Sequence, residues 1–136
     1  MTAPIHSDQM DSRRGTLTGL HVVVVEDNED SREIMRAVLG YFGASVTAAS
    51  GAREGLQVLH ELAPDVVVAD IRLGDETAMW LLREARIRAC RAPFIAVSGL
   101  DFDESTLAAN GFELFLRKPV DHVSLVDAIL AVARGR

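Results

Sequence analysis

The chain has 136 residues, 49% of them hydrophobic and 25% charged, with a formal net charge of -6. That length and balance fit one soluble globular domain with a single core, and there is too much apolar residue for disorder. No apolar run nears the ~20 residues that span a bilayer, the N-terminal stretch lacks the apolar centre of a signal peptide, and the acidic balance opposes polyanion binding. A cytoplasmic location is therefore expected, with no membrane and no direct nucleic-acid partner.

In chain order, residues 1–19 are short of large apolar side chains and rich in Ser, Thr, Asp, Arg and Gly, which predicts a flexible tail before a single domain over residues 20–136. Residues 21–25, HVVVV, run apolar without alternation, the pattern of a strand buried on both faces. The acidic pair Glu26 and Asp27 follows, then a helix over 30–42, with Asp30 and Glu33 spaced as a capping box and Gly43 as a left-handed stop. A strand over 44–48 and a helix over 52–63 ending before Pro64 come next, then a strand over 66–69 that delivers Asp70. A helix over 78–89 carries Trp80, read as partly buried packing near the Asp70 loop. It ends in LLREARIRACR, where Arg83, Arg86, Arg88 and Arg91 read as a solvated face favoured by the helix dipole. The lone Cys90 rules out an intrachain disulfide and a thiolate metal site, and reads as an inert thiol. A strand over 94–97 delivers Ser98, a helix over 104–110 stops at Gly111, a strand over 114–116 delivers Lys118, and a helix over 123–133 closes the pattern.

Five β/α units in strict alternation imply a parallel sheet with helices on both faces, since parallel strands need right-handed crossovers. The expected fold is α/β, doubly wound, of strand order 2-1-3-4-5. In such sheets ligands bind at the carboxyl ends of the strands. Glu26 and Asp27, Asp70, Ser98 and Lys118 all fall there. Three carboxylates in one crevice repel, at about 4 kcal/mol per pair 4 Å apart for an effective dielectric near 20. A divalent cation relieves that cost, and an oxygen-only donor set without Cys or clustered His suits Mg²⁺. Phosphoryl transfer follows as the chemistry. Asp70 can be the carboxylate nucleophile, Lys118 and the metal can neutralise phosphoryl oxygens, and the Ser98 hydroxyl can donate to another.

With VVVVEDN, VVVADIRL, FIAVSG, NGFELF and LFLRKPV in these positions, the sequence over about residues 20–133 resembles the receiver domain of two-component response regulators, both stand-alone and attached to hybrid sensor kinases. The resemblance implies the flavodoxin-like (β/α)5 receiver fold. It implies that Asp70 accepts a phosphoryl group from a phosphohistidine on a partner histidine kinase or histidine phosphotransfer protein. It further implies Mg²⁺ held by Asp27, Asp70 and the Arg72 backbone carbonyl, with Glu26 acting mainly through water. Ser98 and Phe115 would be a switch pair, and Lys118-Pro119 a cis peptide. Signalling through protein contacts without an output domain is the expected mode, and the chain is expected to be a phosphoacceptor with its own transfer and hydrolysis chemistry rather than an enzyme.

The sequence departs from the family in Glu26, where Asp is commonest, in Gly74 and Ala78 after the acceptor, and in a short stretch from Ser98 to Gly111 that predicts an abbreviated fourth helix. Two other readings compete. A phosphorylation-independent interaction module of the same fold need not keep Glu26, Asp27, Asp70, Ser98 and Lys118. A small-molecule phosphatase with an aspartate nucleophile commonly has a second acid two residues on, where Arg72 stands.

Overall fold

The structure, a computed structural model, describes residues 10–99 and 102–134. Its elements are β1 (His21–Val25), α1 (Glu29–Tyr41), β2 (Ser45–Ala49), α2 (Ala52–Glu61), β3 (Val66–Asp70), β4 (Arg72–Leu73), β5 (Glu76–Thr77), α3 (Ala78–Ile87), β6 (Phe94–Ser98), α4 (Glu104–Ala109), β7 (Leu114–Arg117) and α5 (His122–Arg134). The main sheet has five strands in the order β2-β1-β3-β6-β7, all parallel. This is the expected doubly wound order, counted without the short β4 and β5.

The unbroken valine runs of β1 and β3 are explained by what covers each face. Val23, Val25, Val67 and Ala69 point into a core shared with Leu59 of α2, Leu81 and Leu82 of α3, and Leu107 of α4. Val22, Val24, Val66 and Val68 point the other way, against Met35 and Leu39 of α1 and Leu125, Val126 and Ile129 of α5. With the period of two along a strand, both sets can be apolar only if both faces are covered. Full burial of each of these valines contributes about 1.5–3 kcal/mol.

Several local expectations change. The α1 N-cap is Asn28, whose side chain accepts from the Ser31 amide, so the predicted pair Asp30 and Glu33 lies within the helix. Gly43 and Gly111 do take left-handed backbone, with φ +104 and +105. A Cβ on Gly43 would stand 2.5 Å from the Thr18 hydroxyl oxygen, so both backbone and space require glycine there. The loop after Asp70 forms a two-residue-per-strand hairpin, Arg72 opposite Thr77 and Leu73 opposite Glu76, turning at Gly74 with φ +71. The fourth helix is indeed short, six residues over Glu104–Ala109. Arg86 is not simply solvated. Its guanidinium donates to the Cys90 and Ala92 carbonyls at 2.9 Å and lies 5.5 Å from the Phe94 ring, tying the α3–β6 connection together.

Residues 10–19 also depart from the expected tail. Leu17 is fully buried, its amide donates to the Phe42 carbonyl at 2.9 Å, and Arg13 pairs with Asp127 of α5. One buried leucine without helical or strand period left no pattern to read. The rest of the expected tail, residues 1–9, lies outside the described residues, and no helix among the described residues is long and apolar enough to cross a membrane.

Candidate functional site

The β1–α1 turn begins where the buried valines end. Glu26 is held on all sides: its amide donates to the Ala49 carbonyl at 3.0 Å, and its own carbonyl accepts from Arg32 at 3.0 Å. The carboxylate accepts from the Asn28 amide on Oε2 at 3.1 Å and from Lys118 on Oε1 at 2.7 Å. Only 1% of Glu26 is exposed, while the neighbouring Asp27 faces solvent. Neither Asn28 nor Arg32 was predicted to serve the site. Asn28 could have been found as a capping type three residues before Ser31; Arg32 leaves no sequence signal, because its contact is to a backbone carbonyl.

Asp70 ends β3, one strand away. Its Oδ2 accepts from Lys118 Nζ at 2.6 Å and its Oδ1 from the Arg72 amide at 3.2 Å. Carboxylate oxygens of Glu26, Asp27 and Asp70 lie within 4.8 Å of one another. The Lys118 ammonium therefore bridges two carboxylates, reaching them from the end of β7, where its amide donates to the Ser98 carbonyl at 2.9 Å. The Lys118-Pro119 peptide is cis, as expected. Burial pushes the Glu26 carboxyl above its ordinary range, and the Asp70 charge adds to this, outweighing the opposing pull of Lys118 and the Asn28 amide. For Lys118, burial works against the charge, but the contacts to Asp70 and Glu26 win and hold its pKa above the ordinary lysine value.

Ser98 ends β6 and is 8% exposed. Phe115 sits half-buried on β7 opposite Ala96, and the two line one small cleft with Phe102 and Leu107. The Arg72 side chain is exposed at the rim. Trp80 is half-buried at the start of α3, stacked under the Arg53 guanidinium at 5.2 Å rather than in the crevice. All the strand-end residues predicted for the site thus meet at one edge of the sheet. Lys118 offsets only part of the negative charge of three carboxylates, so the oxygen-only donor set suits a hard divalent cation.

Residues 22–130 match the response regulator receiver domain family. The chain belongs to that family. This receiver is 32% identical over 118 residues to an uncharacterized 14.6 kDa protein in the sodA1 3' region of Leptolyngbya boryana, covering 84% of this chain and 90% of that one. It is 28% identical over 114 residues to the polar-differentiation response regulator DivK of Brucella suis, covering 79% and 91% respectively. It is also 29% identical over 135 residues to the sensor histidine kinase AtsR of Burkholderia thailandensis, of which it spans 22% while 94% of this chain is covered. Among solved structures, a response regulator receiver domain from Clostridium thermocellum superposes with a TM-score of 0.79 at 28% identity, covering 85% of this chain and 95% of that one. The CheY-like receiver of Methanospirillum hungatei gives 0.80 at 23% identity, covering 85% and 94%, a likeness of fold.

Proposed function

We propose that this receiver takes a phosphoryl group onto Asp70 from the phosphohistidine of a cytoplasmic histidine kinase or histidine phosphotransfer protein, and signals through protein contacts. The observation that carries the reading is the Lys118 ammonium, 2.6 Å from Asp70 Oδ2 inside the carboxylate cluster. A lone acid at a strand end is as readily a turn residue; an acid held by an ammonium whose charge its partners favour, at the switch point of a doubly wound sheet, is poised for anionic chemistry.

In the transfer, a carboxylate oxygen of Asp70 attacks phosphorus, the bond from phosphorus to the donor imidazole nitrogen breaks, and that nitrogen leaves with its electron pair and takes up a proton. The product is an aspartyl phosphate, a mixed anhydride. Lys118 holds the acceptor in place beforehand and remains beside the new phosphoryl oxygens. The Arg72 amide orients the other carboxylate oxygen. Mg²⁺, held by Asp27, Asp70 and the Arg72 carbonyl with Glu26 reached through water, would supply further charge neutralisation at the phosphoryl group. Ser98 and Phe115 form the proposed switch. A phosphoryl oxygen at Asp70 gives the Ser98 hydroxyl a new acceptor, and movement of Ser98 opens space for Phe115 in the cleft they share. Hydrolysis of the aspartyl phosphate is proposed to be the receiver's own chemistry as well.

The test is incubation with Mg²⁺ and phosphoramidate, followed by intact mass. An acid-stable, base-labile gain of one phosphoryl group that disappears in Asp70→Asn supports the reading. No Asp70-dependent product with phosphoramidate or acetyl phosphate would favour the phosphorylation-independent interaction module.

A further inference from the structure

We propose that residues 10–14 form a detachable strap across the α1–α5 face, hinged at Gly15, whose opening lengthens an apolar groove leading to Lys118. The strap lies outside the span that matches the receiver family, which begins at residue 22. It is tied to both helices by exposed contacts. Arg13 makes a paired contact to Asp127 of α5 at 2.9 and 3.2 Å, Asp11 accepts from the Tyr41 hydroxyl of α1 at 3.1 Å, and the Arg14 guanidinium lies 5.1 Å from the Tyr41 ring. The contacts to Tyr41 are exposed and individually weak, and the two-bond Arg13–Asp127 pair, with the Arg13 side chain 29% exposed, is the principal clip.

The hinge and the anchor are separate from these clips. Gly15 takes φ +81, a conformation glycine adopts freely, and a Cβ there would meet nothing closer than 3.7 Å. Two residues on, Leu17 is fully buried against the α1–α5 core and hydrogen-bonded to Phe42. Two hydrogen bonds cross the hinge, from the Thr16 amide and hydroxyl to the Arg13 carbonyl at 3.0 and 2.7 Å, so a swing of residues 10–14 breaks these as well as the clips while Leu17 stays. What they cover is apolar. Met10 closes a cleft of about 210 Å³ with Val120, His122 and Val123. Val120 and His122 also line a groove of about 500 Å³ that runs past Ile34 and Val38 of α1 to Lys118. Because the two share Val120 and His122, withdrawal of Met10 would extend the groove lined by the half-exposed Ile34 and by Lys118. The chain's own strap is the occupant of this face in the closed state. This does not depend on phosphorylation.

The experiment is trypsin cleavage of the full chain after Arg13 and Arg14, followed by mass across a urea series below the unfolding transition. Cleavage through strap opening is expected to be nearly independent of urea, because little surface is exposed, and to rise about two- to fivefold in Asp127→Ala, the range for loss of an exposed ion pair. Binding of an apolar dye should rise in parallel, with the thermal midpoint of Asp127→Ala close to native. A Tyr41→Phe variant, which removes only the second clip, should shift cleavage in the same direction. Cleavage that follows urea with the slope of global unfolding would make residues 10–14 an integral part of the fold and overturn the proposal, as would rates unchanged in both variants.

Discussion

Replacing Lys118 with methionine keeps most of the apolar stem and removes the charge that bridges Glu26 and Asp70. The two carboxylates then face each other, one with a side chain 1% exposed and the other 13%. Breaking a fully buried pair costs roughly 3–5 kcal/mol, since a charge is left without its partner. Lys118 is itself 28% exposed, so solvent screens part of the loss, and about 2–4 kcal/mol is expected near pH 8. The cost should depend on pH with a definite sign. Glu26 already has a folded pKa above its unfolded value, and loss of the ammonium moves it further up. A group raised in this way contributes stability below its unfolded pKa of about 4.3 and loses it as pH rises through the folded value. The gap between native protein and Lys118→Met should therefore be small near pH 4.5 and widen toward pH 8. Adding Glu26→Gln should recover a large part of it. Urea denaturation of the four proteins of this cycle at both pH values measures the coupling. A gap independent of pH, or a double variant no more stable than Lys118→Met, would show that Lys118 does not serve as counter-ion to a buried carboxylate.

Further outcomes follow from the same geometry. Asp27→Ala should weaken Mg²⁺ binding about tenfold or more by isothermal titration, because an exposed ligand charge is lost from a site of oxygen donors; unchanged affinity would remove Asp27 from the site. Gly43→Ala should cost about 1–3 kcal/mol in urea denaturation, from left-handed backbone and a clash with Thr18, and a native midpoint would contradict both. Arg72→Ala should shorten the phosphoryl half-life, by about tenfold if the exposed guanidinium obstructs the in-line water; a longer half-life would mean that Arg72 assists hydrolysis instead.

Much of this is legible in the sequence, because the strand ends carry it. The valines of β1 and β3 read as central strands, and a doubly wound order then brings Glu26, Asp27, Asp70, Ser98 and Lys118 to one edge. What escaped was shorter than a period or depended on side-chain reach. The β4–β5 hairpin has two residues per strand, too few for alternation to register. The strap has a single buried anchor, Leu17. The N-cap fell to Asn28 instead of Asp30 because Glu29 and Asp30 suit the first helical turn as well as the cap, and the Asn28 amide is also bound to Glu26. That one ammonium would bridge Glu26 and Asp70 is a matter of ångströms that spacing in sequence does not encode.

The central claim is that Asp70 itself carries the phosphoryl group. Borohydride reduces an acyl phosphate, turning an aspartyl phosphate into homoserine, so the acceptor can be located by peptide mass after the receiver is treated with phosphoramidate and Mg²⁺. Homoserine at residue 70, absent without the phosphodonor, is the expected result. Reduction at Glu26 or Asp27, or no reduced residue in protein shown by intact mass to be phosphorylated, would contradict it.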